Sequence, residues 1–136
     1  MNQEFYNEME KLLSPEAILI NEPMSKHTTF RIGGNADMFV SPEITQVPAI
    51  MKLAKEYQVP VTIVGNGSNL LVGDKGIRGL VLAFGKAAET VTVDGNHITA
   101  GAGALLSKIA AEAVKNSLAG FEFAAGIPGT IGGALV

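Results

Sequence analysis

Residues 61–72 read VTIVGNGSNLLV, an apolar run, a short polar turn and a second apolar run. Val61, Ile63 and Val64 are β-branched and suit a strand buried on at least one face. The turn Gly65-Asn66-Gly67-Ser68-Asn69 carries no bulky side chain to shield its backbone. Glycine at 65 and 67 permits positive φ, so successive N–H groups can converge into a nest for an anion, with Ser68 and Asn69 as short donors beside it. The competing reading is a β-hairpin, because Asn-Gly between apolar runs is itself a hairpin signal. On this stretch alone the hairpin is the stronger reading, since short glycine motifs recur without ligands.

The preceding residues shift that balance. Ala36–Val40 reads as a strand ended by Ser41-Pro42, and a helix follows with Thr45 as N-cap and Pro48 in its first turn. Val47, Ile50, Met51, Ala54 and Tyr57 form its expected buried face. Strand, helix and strand in succession make a βαβ unit, so Ala36–Val40 and Val61–Val64 are expected to be parallel neighbours. The Gly-Asn-Gly turn then falls at the carboxyl end of a parallel strand, where α/β sheets bind ligands.

The flanking segments are read in the same way. Residues 2–13 predict a helix with Phe5, Met9 and Leu12/Leu13 on one face, stopped by Ser14-Pro15. Ile18–Ile20 is a short apolar run broken at Glu22-Pro23, and Ser25–Arg31 is a polar, Thr-rich extended loop. Beyond the central stretch, Leu80–Phe84 reads as a buried strand, and Glu89–Val93 and His97–Ala100 as a hairpin around Asp94-Gly95-Asn96. Gly101-Ala102-Gly103 opens a helix over 104–116 with Leu105, Ile109 and Ala113 on one face. The change from a βαβ pattern to an antiparallel one divides the chain into two lobes, residues 1–75 and 76–136.

Composition narrows the class. With 47% hydrophobic and 17% charged residues the 136-residue chain is globular, and its net charge of −3 with scattered basic residues gives no nucleic-acid stripe. There is no cysteine. The acidic, amphipathic N-terminus is unlike a signal peptide, and no uncharged run reaches a membrane span, so a soluble cytoplasmic protein without a membrane partner is expected. His27 and His97 are isolated, so no metal site is expected. Arg31 suits either a phosphate clamp or a surface ion pair.

Glycine is the outlier, with 16 residues. The third glycine of the dinucleotide fingerprint is absent, and Gly85-Lys86-Ala87 lacks the hydroxyl of a P-loop. Three glycine-rich turns remain: 65–69, 101–103 and 126–133 (GIPGTIGG), the last stiffened by Pro128. Three such turns after strands favour a long phosphate-bearing cofactor.

The stretches NEPMSKHTTFRIGGNADMFV, VTIVGNGSNLLV with a following Asp and GIRGLV, and LAGFEFAAGIPGTIGGAL resemble the UDP-N-acetylenolpyruvoylglucosamine reductases, also called UDP-N-acetylmuramate dehydrogenases. The match runs in order from about Leu19 to the last residue. The resemblance implies an α+β, two-lobed FAD-binding domain of the vanillyl-alcohol-oxidase type: a βαβ-containing lobe plus a second lobe with antiparallel strands. It implies non-covalent FAD held by Gly65, Asn66, Gly67, Ser68, Asn69 and Leu70, with Gly101, Ala102 and Gly103 nearby. Ala125, Gly126, Ile127, Pro128, Gly129, Thr130, Gly132 and Gly133 run along flavin and diphosphate. It further implies NADPH as hydride donor, a UDP-sugar enolpyruvyl substrate, and a role in making the muramic acid precursor of peptidoglycan. The family's catalytic Ser, Arg and Glu and its substrate domain lie beyond Val136, so no catalytic residue is assigned, the 136-residue chain alone is expected to be inactive, and its apolar end is expected to be exposed. Two other readings stand beside it: the FAD domain of another two-lobed flavoprotein oxidase or dehydrogenase, and a nucleotide-binding module without turnover. Many flavoproteins of the former kind attach flavin through a histidine in the glycine loop, and none stands there.

Overall fold

The computed structural model describes residues 3–136, so residue 2 of the expected first helix lies outside the described residues. Helix α1 (Gln3–Leu12) follows its pattern: Phe5 and Met9, one turn apart, are buried, as is Leu13 just beyond it. Strand β1 (Ile18–Pro23) is longer than the apolar run suggested and pairs antiparallel with β2 (Asn35–Val40). Pro23 is tolerated because β1 is an edge strand and Pro23 is its last residue. Helix α2 (Val47–Glu56) is preceded by a 3₁₀ turn, Ile44–Gln46, and Thr45 lies inside that turn instead of capping the helix. A Glu43–Gln46 capping box closes the start of that turn, with the Glu43 N–H donating to Gln46 Oε1 at 2.8 Å. Ile50 and Ala54 are buried; Leu53 packs on the core where Met51 had been expected.

The main sheet has the order β1-β2-β4-β3, with β3 at Val61–Val64 and β4 at Ile77–Ala83. Both β2 and β3 run parallel to β4, so β2 and β3 are not neighbours as the βαβ pattern suggested. Hydrophobicity decides the insertion. Leu80, Val81 and Leu82 of β4 have no exposed surface, whereas Ile63 of β3 is 55% exposed. A strand apolar on both faces takes the centre of a parallel sheet, and a half-covered one takes the edge. Strand β4 therefore shares one sheet with β1, β2 and β3.

Two clusters cover the sheet. Met38, Val40, Leu80 and Leu82 pack with α1 and α2, while Ala36, Phe39, Val81 and Ala83 pack with Met24, Val64 and Val72. Between Ala36 and Met38 the β2–β4 register shifts, since β4 advances from Ile77 to Leu80 while β2 advances by two residues. Asp37 clamps this bulge: Oδ1 lies 2.6 Å from Arg78 Nη1, and Oδ2 accepts from the Gly79 N–H at 2.9 Å.

The second lobe contains the hairpin β5 (Val91–Asp94) and β6 (His97–Ala100), then α3 (Leu106–Lys115) and a short α4 (Ile131–Ala134). Leu106, Ile109, Ala110 and Ala113 are buried on α3. Leu105, placed by periodicity on that face, instead stands before the helix, 39% exposed, and bridges Thr130. Leu135 is 80% exposed.

Candidate functional site

The turn after β3 is not a hairpin. The next strand, β4, runs parallel to β3, and residues 70–72 form no strand. The chain instead leaves the carboxyl end of β3 as an irregular loop that lies against the segment 24–34. Gly67 has φ +68, and a Cβ there would overlap the His27 carbonyl oxygen. The Gly67 carbonyl accepts from the Thr29 N–H at 3.1 Å. Positive φ and close approach are therefore both present, but the approach is to the chain's own backbone. Gly65 is a different case: a Cβ there would sit 2.6 Å from Thr130 Oγ1, across the gap between lobes.

The buttress 24–34 is compact, not extended. Met24 to Lys26 forms a 3₁₀ turn, Met24 is fully buried, and the buried Thr28 hydroxyl donates to the Ile32 carbonyl at 3.1 Å. The His27 ring stacks on Phe39 at 4.0 Å, and its Nε2 lies 3.0 Å from Glu22. Burial pushes the Glu22 carboxyl up, but hydrogen bonds from His27 and Lys26 outweigh it and hold the group below the usual glutamate range.

Opposite this loop stands the segment 125–134. Thr130 is buried, its hydroxyl oxygen accepts from the Gly133 N–H at 3.4 Å, and it caps α4. The segment is pinned to the start of α3 by Leu106 N–H to Gly129 O at 3.0 Å, Ile131 N–H to Ala104 O at 2.8 Å and Gly132 N–H to Ala102 O at 2.9 Å. Ser68 Oγ donates to Pro128 O at 3.2 Å and ties the two loops together.

Between them lies a cavity of about 660 Å³, a size suited to a small-molecule or cofactor site. Of the residues singled out from sequence, 65–70, Ala102, 127–130, Gly132 and Gly133 line it. Gly101, Gly103, Ala125 and Gly126 do not. Gly101 and Gly103 donate their N–H groups to Thr90 O and Ala88 O, at 2.8 and 3.0 Å, and their lack of side chains serves that packing. Ile63, Val64, Phe84, Leu106, Ala134 and Val136 also line the cavity and had not been singled out. Phe84 was legible in principle, because it ends the strand beside β3 and shares its carboxyl edge. Arg31 is exposed, outside the lining, with φ 55.

The electrostatics are simple. Among the described residues, no ionisable side chain lines the cavity. Nor does any N–H from Asn66 to Leu70 donate to another protein group among them. Five consecutive unengaged donors around an uncharged pocket fit an anionic oxygen cluster. They also fit the diphosphate of a dinucleotide, whose charge meets no opposing carboxylate. No group of three or more His, Asp or Glu able to hold a metal occurs among the described residues.

Residues 36–136 match the FAD binding domain family. The chain belongs to that family. This FAD-binding domain is 49% identical over 148 residues to the UDP-N-acetylenolpyruvoylglucosamine reductase of Agathobacter rectalis, covering 100% of the present chain and 47% of that protein. The reductase of the same name from Thermus caldophilus superposes with a TM-score of 0.65 at 31% identity, covering 87% of this chain and 40% of the other. Alkyldihydroxyacetonephosphate synthase superposes at a TM-score of 0.69 with 21% identity, covering 99% and 31%, and shares the fold alone. The domain thus spans less than half the length of these reductases. Its α+β architecture is that of the vanillyl-alcohol-oxidase-type FAD-binding domain, and its cofactor is FAD.

Proposed function

We propose that this domain is the FAD-binding portion of a cytoplasmic, NADPH-dependent UDP-N-acetylenolpyruvoylglucosamine reductase acting in peptidoglycan synthesis. One observation carries the site: residues 66–70, whose N–H groups have no protein acceptor among the described residues, and residues 127–130 line one cavity without an ionisable side chain, at the carboxyl edge of β3 and β4. In this reading residues 66–70 receive the diphosphate. Each charge-assisted bond contributes on the order of 1.5–3 kcal/mol. Residues 127–133 with Ala102 lie along the remainder of the cofactor, and Phe84, Leu106 and Ile127 exclude water from it. Gly101 and Gly103 support the cavity from outside its lining through their bonds to Thr90 O and Ala88 O.

Bound there, FAD supplies hydride transfer from NADPH to the enolpyruvyl double bond of the UDP-sugar. The cavity's own residues bind and orient. Among the described residues no ionisable side chain stands in the lining, so in this reading these residues move no proton. No histidine or cysteine lines the cavity among the described residues, and this reading has the cofactor held non-covalently. The test is to purify the protein, record the flavin spectrum after reconstitution, and precipitate with acid. The yellow colour is expected in the supernatant. A protein that takes up no FAD, or colour held in the pellet, overturns the reading.

A further inference from the structure

We propose that the Asn66–Gly67 peptide is a site of spontaneous deamidation, and that the carboxylate it creates weakens binding of the phosphate-bearing cofactor. The second half rests on the cofactor placement above; the first does not.

Asn66 is the one asparagine in the sequence that is followed by glycine. It is exposed at the cavity lip, and its carboxamide makes no hydrogen bond among the described residues. The Gly67 N–H is likewise unengaged, and glycine places no side chain over its nitrogen. Gly67 itself is buried and its carbonyl is held by the Thr29 N–H, so what favours ring closure is the exposed, unbonded Asn66 carboxamide next to a nitrogen with no acceptor. The Gly67 nitrogen, having lost its proton to base, attacks Asn66 Cγ. A new N–Cγ bond forms, the Cγ–Nδ2 bond breaks, and ammonia leaves. Water then opens the succinimide at either carbonyl to give aspartate or isoaspartate. No oxidant or reductant is involved.

Other asparagines differ in structure as well as sequence. Asn116 precedes serine, and its Nδ2 donates to the Glu112 carbonyl at 2.9 Å. Asn69 precedes leucine, whose side chain crowds the attacking nitrogen. At position 66 the product also matters most. It places a negative charge, and in the isoaspartate form an extra backbone atom, in a lining that otherwise holds no charge. A cofactor phosphate accepting from the Gly67 N–H would occupy the nucleophile, so the bound state protects its own loop.

The experiment incubates the purified protein at mildly alkaline pH with and without excess FAD. Peptide mass spectrometry then locates the mass increase that accompanies exchange of an amide for a carboxylate. Modification is expected at Asn66 well ahead of Asn116 and Asn69, and slower with FAD. Asn66→Asp is expected to weaken FAD binding by about tenfold or more, the scale of one like-charge contact near a surface. Modification no faster at Asn66 than at Asn116 overturns the proposal. Modification at Asn66 that FAD does not slow leaves the site standing and overturns the cofactor placement. Full FAD affinity in Asn66→Asp, with an unchanged circular dichroism spectrum, overturns the claimed consequence.

Discussion

Two glycine loops of similar composition face different tasks in this domain. In 65–70 the N–H groups from Asn66 onward have no protein acceptor among the described residues, and every residue of the loop lines the cavity. In 101–103 the two glycine N–H groups are consumed by the carbonyls of Thr90 and Ala88, and only Ala102 reaches the lining. The first loop uses the missing side chains to seat on its buttress and leave donors for a ligand. The second uses them to let β6 and α3 lie close to the 85–90 segment. Glycine content by itself does not separate these uses; the destination of each backbone N–H does.

The largest effect that would break the comparison is at Gly67. Valine there meets the His27 carbonyl at a φ of +68, so the fold loses roughly 3 kcal/mol or more and FAD binding disappears. Urea denaturation and flavin titration read both; a variant of wild-type stability that still binds FAD would show that the loop does not depend on this contact. Next is Gly101→Ala, whose Cβ would overlap the Ala88 carbonyl. Stability is expected to fall by about 1–3 kcal/mol, while the FAD affinity of the folded fraction stays the same. A selective loss of affinity without loss of stability would move Gly101 into the cofactor site. The smallest effect is at Ser68. Removal of its hydroxyl in Ser68→Ala deletes the bond to Pro128 O and is expected to cost about 1 kcal/mol, in affinity or in stability. A loss confined to affinity would sharpen the comparison by assigning the hydroxyl to the cofactor, and a loss confined to stability would assign it to the join between loops.

Most of the local structure was legible. The spacing of Phe5, Met9 and Leu13 placed α1, and the run LVLAF placed β4, because burial of an apolar face is encoded within a few turns or residues. The position of 65–69 after a parallel strand favours a ligand loop over the hairpin; β3 does run parallel to a neighbour, though to β4 and not to β2, and that pairing excludes the hairpin. The structure departs from the pattern at three places: β4 separates β2 from β3, Leu105 stands before α3 and not on its buried face, and 24–26 forms a 3₁₀ turn inside a stretch that reads as extended.

The sequence by itself determined the elements, the family, and the fact that glycine loops end the strands, since each rests on residues close together in the chain or on a motif's order. Only the tertiary structure decided which strands sit at the centre of the sheet and which glycines line the cavity. Those questions turn on competition between segments for the same buried space and the same hydrogen-bond acceptors. The Ala88 carbonyl that claims the Gly103 N–H lies 15 residues before it, and the Pro128 carbonyl that holds Ser68 lies 60 residues after it. No local pattern carries that information, because the acceptor is chosen only when the chain has closed on itself.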